Sequence, residues 1–114
     1  MNYLFLFLLL ATTTIAAPLI GGSQLVNPEK HSKIVCEVYD DIKGQWNVTR
    51  VAEMRVQIVS GIKYWIIFGL KNGEYVETIG IYQPFFHEIK VVRSYPEYKL
   101  IENCNVAIDR LCDK

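Results

Sequence analysis

The residue types able to do covalent or acid–base chemistry near neutral pH are few: Cys36, Cys104 and Cys112, with His31 and His87. A thiol beside an imidazole is the minimum of a thiol hydrolase, because the imidazole takes the proton and leaves a nucleophilic thiolate. Cys36 falls in a helical pattern with no third group in the sequence to orient a histidine, so catalysis is not expected. The cysteines form no CxxC and match no zinc spacing, so neither a metal nor a cofactor is expected. Two other stretches point to non-covalent chemistry. "LIGG" (Leu19, Ile20, Gly21, Gly22) and "QIVSG" (Gln57, Ile58, Val59, Ser60, Gly61) each join aliphatic side chains to glycine. Such a stretch can lay backbone and apolar groups closely against a partner.

The bulk properties limit who that partner is. The chain has 114 residues, 12 basic and 12 acidic, with a formal net charge of zero. Without a basic stripe, neither nucleic acid nor an anionic membrane surface is an expected partner. "MNYLFLFLLLATTTIA" reads as a secretory signal peptide over residues 1–16: an apolar core, then small residues. The expected cut follows Ala16, and the apolar run is well short of the roughly 20 residues that span a bilayer. A secreted protein with one domain over residues 17–114 follows. In an oxidising compartment the three cysteines allow at most one internal bridge. Cys104 and Cys112 are closest in sequence, and Cys36 is an equally available partner. "NVT" at Asn47 is a candidate glycosylation site.

These stretches need elements to hold them. Residues 17–26 have no apolar period and read as a flexible arm jointed at Gly21 and Gly22. Asn27 is a good N-cap, Pro28 suits the first helical position, and Glu29 complements the positive end of the dipole. Val35, Val38, Tyr39, Ile42 and Trp46 then form one stripe, and Gly44 marks the helix end. Cys36 sits about a hundred degrees off that stripe, at the core boundary.

Beyond Asn47 the period becomes that of a strand. Arg50, Ala52, Met54, Val56 and Ile58 are expected on one face, and Val51, Glu53, Arg55 and Gln57 on the other. "IKYWIIFGL" reads as a second strand, and Asn72–Gly73 as a turn. "EYVETIGIY" and "FFHEIKVVRS" are two more strands, separated at Gln83–Pro84. "SYPE" at Ser94 to Glu97 is a break, and "YKLIENCNVAI" a last strand. The expected fold is α+β: one N-terminal helix packed on a four- to five-stranded antiparallel sheet. Tyr64, Trp65, Phe68, Phe85 and Phe86 are expected in the core and on the sheet surface. The arm, the Gln57–Gly61 turn and the Ser94–Glu97 turn are expected at one end of the sheet.

"QIVSG" with "LIGG" upstream, the Asn–Pro helix start and "RVAEMRVQIVSGIKYWIIF" between them resemble the cystatin family, over most of residues 19–100. That resemblance implies a reversible, tight-binding inhibitor of papain-like cysteine peptidases of the cathepsin L or B type. It implies a three-part wedge. Leu19 and Ile20 would fill apolar subsites and Gly21, with Gly22, would turn the backbone from the reactive thiol. Gln57, Ile58, Val59, Ser60 and Gly61 would form the central hairpin, with Tyr95 and Pro96 the second, closer to the Leu-Pro of the cytosolic branch than to Pro-Trp. A monomer is expected, with strand exchange across Gln57–Gly61 as a route to dimers. The alternative is a secreted binding module of the same fold that does not inhibit.

Overall fold

The computed structural model describes residues 22–112. The expected signal segment, and Leu19, Ile20 and Gly21 of the arm, lie outside the described residues. The helix begins where its cap signals place it. The Asn27 side-chain carbonyl accepts a hydrogen bond from the Glu29 N–H at 2.9 Å, and Pro28–His31 form a 3-10 turn that leads into α1, Ser32–Ile42. Ile34, Val35, Val38 and Ile42 are buried, with Tyr39 and Trp46 half-buried against the same core. Each buried aliphatic side chain contributes roughly 1.5–3 kcal/mol of transfer free energy, before the entropy of ordering it is subtracted.

The helix packs on an antiparallel sheet whose centre is a meander: β2 (Val48–Val59), β3 (Gly61–Leu70), β4 (Tyr75–Gln83) and β5 (Phe86–Tyr95). Two short strands, β1 (Gln24–Leu25) and β6 (Val106–Ala107), both pair with the outer edge of β2. The sheet therefore has six strands rather than four or five, and α1 follows β1 rather than opening the fold. The second half of the expected arm is held: Gln24 pairs with Val56, Leu25 with Arg55, and the Val26 N–H donates to the Met54 carbonyl at 3.1 Å.

The expected alternation along β2 fails at two places. Its register against β3 slips between Val48 and Arg50 and again between Val51 and Glu53. Each slip is a bulge, which adds a residue and resets which side chains face inward. Val48, Val51, Met54 and Val56 thus all join the core beside Tyr64, Ile66, Phe68 and Val76, whereas Arg50 lies against the Tyr75 ring, 5.6 Å from its centroid.

One polar thread crosses the helix–sheet interface. His87 Nδ1 lies 2.7 Å from a Glu37 carboxylate oxygen on α1, and its Nε2 lies 2.8 Å from the Tyr64 hydroxyl on β3. In the neutral ring Nδ1–H donates to Glu37, which leaves Nε2 to accept from Tyr64. Tyr64 reaches β5 across Gly80, where any Cβ would run into its ring and hydroxyl.

The C-terminal segment does not form the expected long last strand. Residues 96–105 instead cross the face of the sheet away from α1. The Tyr95 hydroxyl donates to Glu77 at 3.1 Å and that of Tyr98 at 3.5 Å. The Ile101 and Glu102 N–H groups donate to Glu53 Oε1 at 2.6 and 3.3 Å, and the Cys104 N–H donates to the Ala52 carbonyl at 2.7 Å. Glu53 is 2 % exposed, so it is a buried carboxylate that holds backbone donors. The chain then rounds the β2 edge as β6 and ends the described residues in α2, Ile108–Cys112. Arg110 pairs there with Glu29 at 2.7 Å.

The disulfide is Cys36–Cys112, with Cα atoms 5.4 Å apart, and Cys104 is free. The shorter pairing, Cys104–Cys112, does not occur because β6 and α2 carry Cys112 to the helix side while Cys104 stays beside Ala52. Sequence proximity is overruled by the path of the segment.

Candidate functional site

β2 and β4 run toward the same end of the sheet, so the β2–β3 and β4–β5 turns are neighbours there. The first reverses direction over Ser60 alone, since Val59 pairs directly with Gly61. Gly61 takes a φ of +122°, open to glycine, and a Cβ there would lie 2.8 Å from the Tyr82 carbonyl oxygen. The second turn is Pro84–Phe85, with Gln83 paired to Phe86. The Gln83 side-chain amide donates to the Ser60 carbonyl and ties the two turns together.

This end is apolar and open to water. Ile58 is 73 % exposed, Val59 47 %, Phe85 107 % and Phe86 51 %. Neither Val56–Ile62 nor Ile79–Phe86 contains a charged residue. Phe85 adopts a φ of +63°, a left-handed conformation costly for a bulky side chain, which the two-residue turn requires. Scattered surface aliphatics are ordinary; four large ones on two joined turns form a patch that a partner can desolvate.

The predicted residues divide between places. Gln57, Ile58, Val59, Ser60 and Gly61 form the first turn and its approach. Gly22 is exposed, and the antiparallel register of β1 leads the chain preceding Gln24 back toward Ile58. Tyr95 and Pro96 are elsewhere: Tyr95 pairs with Tyr75, beside the Lys71–Glu74 turn at the opposite end of the sheet. Its hydroxyl is occupied by Glu77, and burial followed by that bond pushes the phenol above its ordinary range. The reason is parity. Each turn of a meander alternates ends, and the break after "VVRS" is one turn too late.

Pro84, Phe85 and Phe86 take the place expected of Tyr95 and Pro96. Phe85, expected in the core or on the sheet surface, projects from the turn instead, and Phe86 opens β5 with its ring exposed beside it. The signal was the Gln83–Pro84 break between two strand-like runs.

The remaining reactive types offer little chemistry. Burial, ahead of its other causes, raises the Tyr64 phenol well above its usual range, so the Glu37–His87–Tyr64 chain ends in a hydroxyl that resists deprotonation. It anchors the strand that carries Phe86. The half-buried Cys104 thiol lines a groove of about 450 Å³ with Leu25, Val26 and Arg110, and burial raises its pKa as well, which disfavours the thiolate. Asn47 is exposed at the foot of β2, and the hydroxyl of Thr49 in the same sequon donates to the Gly69 carbonyl at 3.3 Å. Among the described residues no group of three metal-ligating side chains converges, and no helix is long and apolar enough to cross a membrane.

No family model matches this chain, and no curated protein or solved structure is significantly similar to it.

Proposed function

We propose that this protein is a secreted, cystatin-like reversible inhibitor of papain-like cysteine peptidases, acting through the uncharged end of the sheet. The observation that carries the reading is the union of the Ser60 and Pro84–Phe85 turns into one exposed apolar edge, with the arm directed toward it. A peptidase groove with a thiol at its floor is filled by such an edge without receiving a scissile bond in attack geometry. Leu19 and Ile20 would occupy the groove on one side of the thiol, Val59 its centre, and Pro84 with Phe85 the other side. This places Pro84–Phe85, rather than Tyr95–Pro96, in the second-hairpin role.

Energetically, the edge suits tight docking. Both turns are short and bridged by Gln83, so little conformational freedom is lost on binding. Each aliphatic or aromatic side chain desolvated in the groove contributes roughly 1.5–3 kcal/mol. Secretion is consistent with the Cys36–Cys112 bridge, and Asn47 is a candidate for modification on that route.

The test is a titration of the purified protein against papain and a cathepsin L-type enzyme, alongside Val59→Asp. Reversible inhibition near equimolar ratio is expected, weakened on the order of 30-fold or more by the buried charge in the variant. An intact fold with no inhibition in the parent protein would discard the reading.

A further inference from the structure

The two edges of the sheet are treated differently. The β2 edge is covered by β1 and β6, whereas β5 has no neighbour beyond β4 among the described residues. An unpaired edge of this length is a template for another strand unless something blunts it. From Phe86 to Val91 the register with β4 is unbroken, and the slip comes only beyond it, between the Thr78–Val91 and Glu77–Arg93 pairs. The open stretch is therefore regular where a partner strand would have to lie.

We propose that β5 pairs antiparallel with β5 of a second copy about a two-fold axis through Ile89, giving a homodimer with one continuous sheet. The argument is one of faces and charge. Ile89 and Val91 pack toward the core side, while Glu88 and Lys90 are exposed between them. A pairing that keeps the helices of both copies on one side sets like-facing residues opposite each other. Three such registers use the middle of this ladder. Centred on Glu88, it opposes two glutamates; centred on Lys90, two lysines. Centred on Ile89, it sets Glu88 of each copy across from Lys90 of the other, and Ile89 against Ile89. Among the described residues neither Glu88 nor Lys90 makes an ion pair within its own chain. The two-fold axis uses each contact twice, and both apolar ends stay open, pointing in opposite directions.

Sedimentation equilibrium of the purified protein across a concentration series tests this, with amide exchange followed over residues 87–91. A reversible dimer is expected, with exchange over 87–91 slowing as concentration rises. Glu88→Lys and Lys90→Glu each place like charges across the axis and should weaken association about tenfold. The double variant restores the pair in reversed polarity and should return close to the parent. Both changed side chains are on the surface, and circular dichroism checks the fold. A protein monomeric throughout would overturn the proposal. So would a dimer indifferent to the charge changes, as exchange across Ser60 would give, or one abolished by Cys104→Ser. Single variants that weaken association without rescue in the double would also overturn it.

Discussion

The two ends of the sheet are built on opposite principles. At the Lys71–Glu74 end, Arg50 lies against Tyr75, Tyr95 and Tyr98 stack edge-to-face at 5.0 Å, and both hydroxyls converge on Glu77. There the sheet is overlaid by residues 96–105, and its outer β2 edge is continued by β6 into the bridged α2. At the Ser60 end the described chain adds only β1, which stops at Gln24, and apolar side chains face water. One end spends its aromatic rings on its own cohesion; the other leaves Phe85 and Phe86 open to water. Aromatic residues alone therefore do not mark a binding edge. What marks it is whether the fold has already used them.

The largest effect expected from breaking this contrast is at the secured end. Replacing Cys36 and Cys112 together by serine removes a link that closes a separation of 76 residues. A loss of about 2–5 kcal/mol in stability is expected, read as a lower denaturant midpoint. Inhibition measured below that midpoint should persist, because the open end does not depend on the bridge for its shape.

A paired comparison sharpens the contrast at intermediate size. Phe85→Asp should weaken peptidase binding by roughly 2 kcal/mol, about 30-fold, with thermal stability little changed. Tyr95→Ala should do the reverse, lowering the thermal midpoint slightly through the lost Glu77 bond while inhibition constants hold. If Tyr95→Ala weakened inhibition and Phe85→Asp did not, the functional end would be the other one.

The smallest effect is a pH dependence. The phenols of Tyr64, Tyr95 and Tyr98 are all raised above their ordinary value, first by burial in each case. The sign follows from linkage. Below the unfolded-state value, near 10, both states hold these protons and stability is flat. Above it the unfolded chain releases them first, so stability falls as pH rises further. Denaturation midpoints between about pH 8 and 11 should show that decline, and Tyr98→Phe should make it shallower.

Much of this was legible in the sequence for local reasons. Asn27–Pro28 announce the helix through their own backbone chemistry, and "QIVSG" announces a turn through Gly61. The parts that were not legible depend on contacts distant in sequence. Glu53 looks like an outward-facing strand residue until residues 101 and 102 bring their N–H groups to it. The bulges in β2 leave no pattern of their own: Val51 and Met54 share a face only because one extra residue intervenes at the second bulge. The Cys36–Cys112 pairing depends on the route of the whole C-terminal segment. The second apolar turn is half visible in the sequence: Gln83–Pro84 marks a break between strands, but nothing local shows that Phe85 stands exposed on the turn rather than in the core or on the sheet surface.

The span of that bridge also sets an order of events during synthesis. A chain made from its amino terminus delivers α1 and Cys36 early, then the four meander strands, and only afterwards Cys112. The helix can settle on the growing sheet while Cys36 still lacks its partner, with Cys104 the first other thiol to arrive. A premature 36–104 bond would draw residue 104 away from Ala52 and keep residues 101 and 102 from Glu53. The Cys104 N–H bond to Ala52 and the Glu53 bonds beside it hold that first-arriving thiol at the outer edge of β2. The last-made turn of helix is then left to close the ring, so the overlying segment acts as a proofreader of its own cross-link.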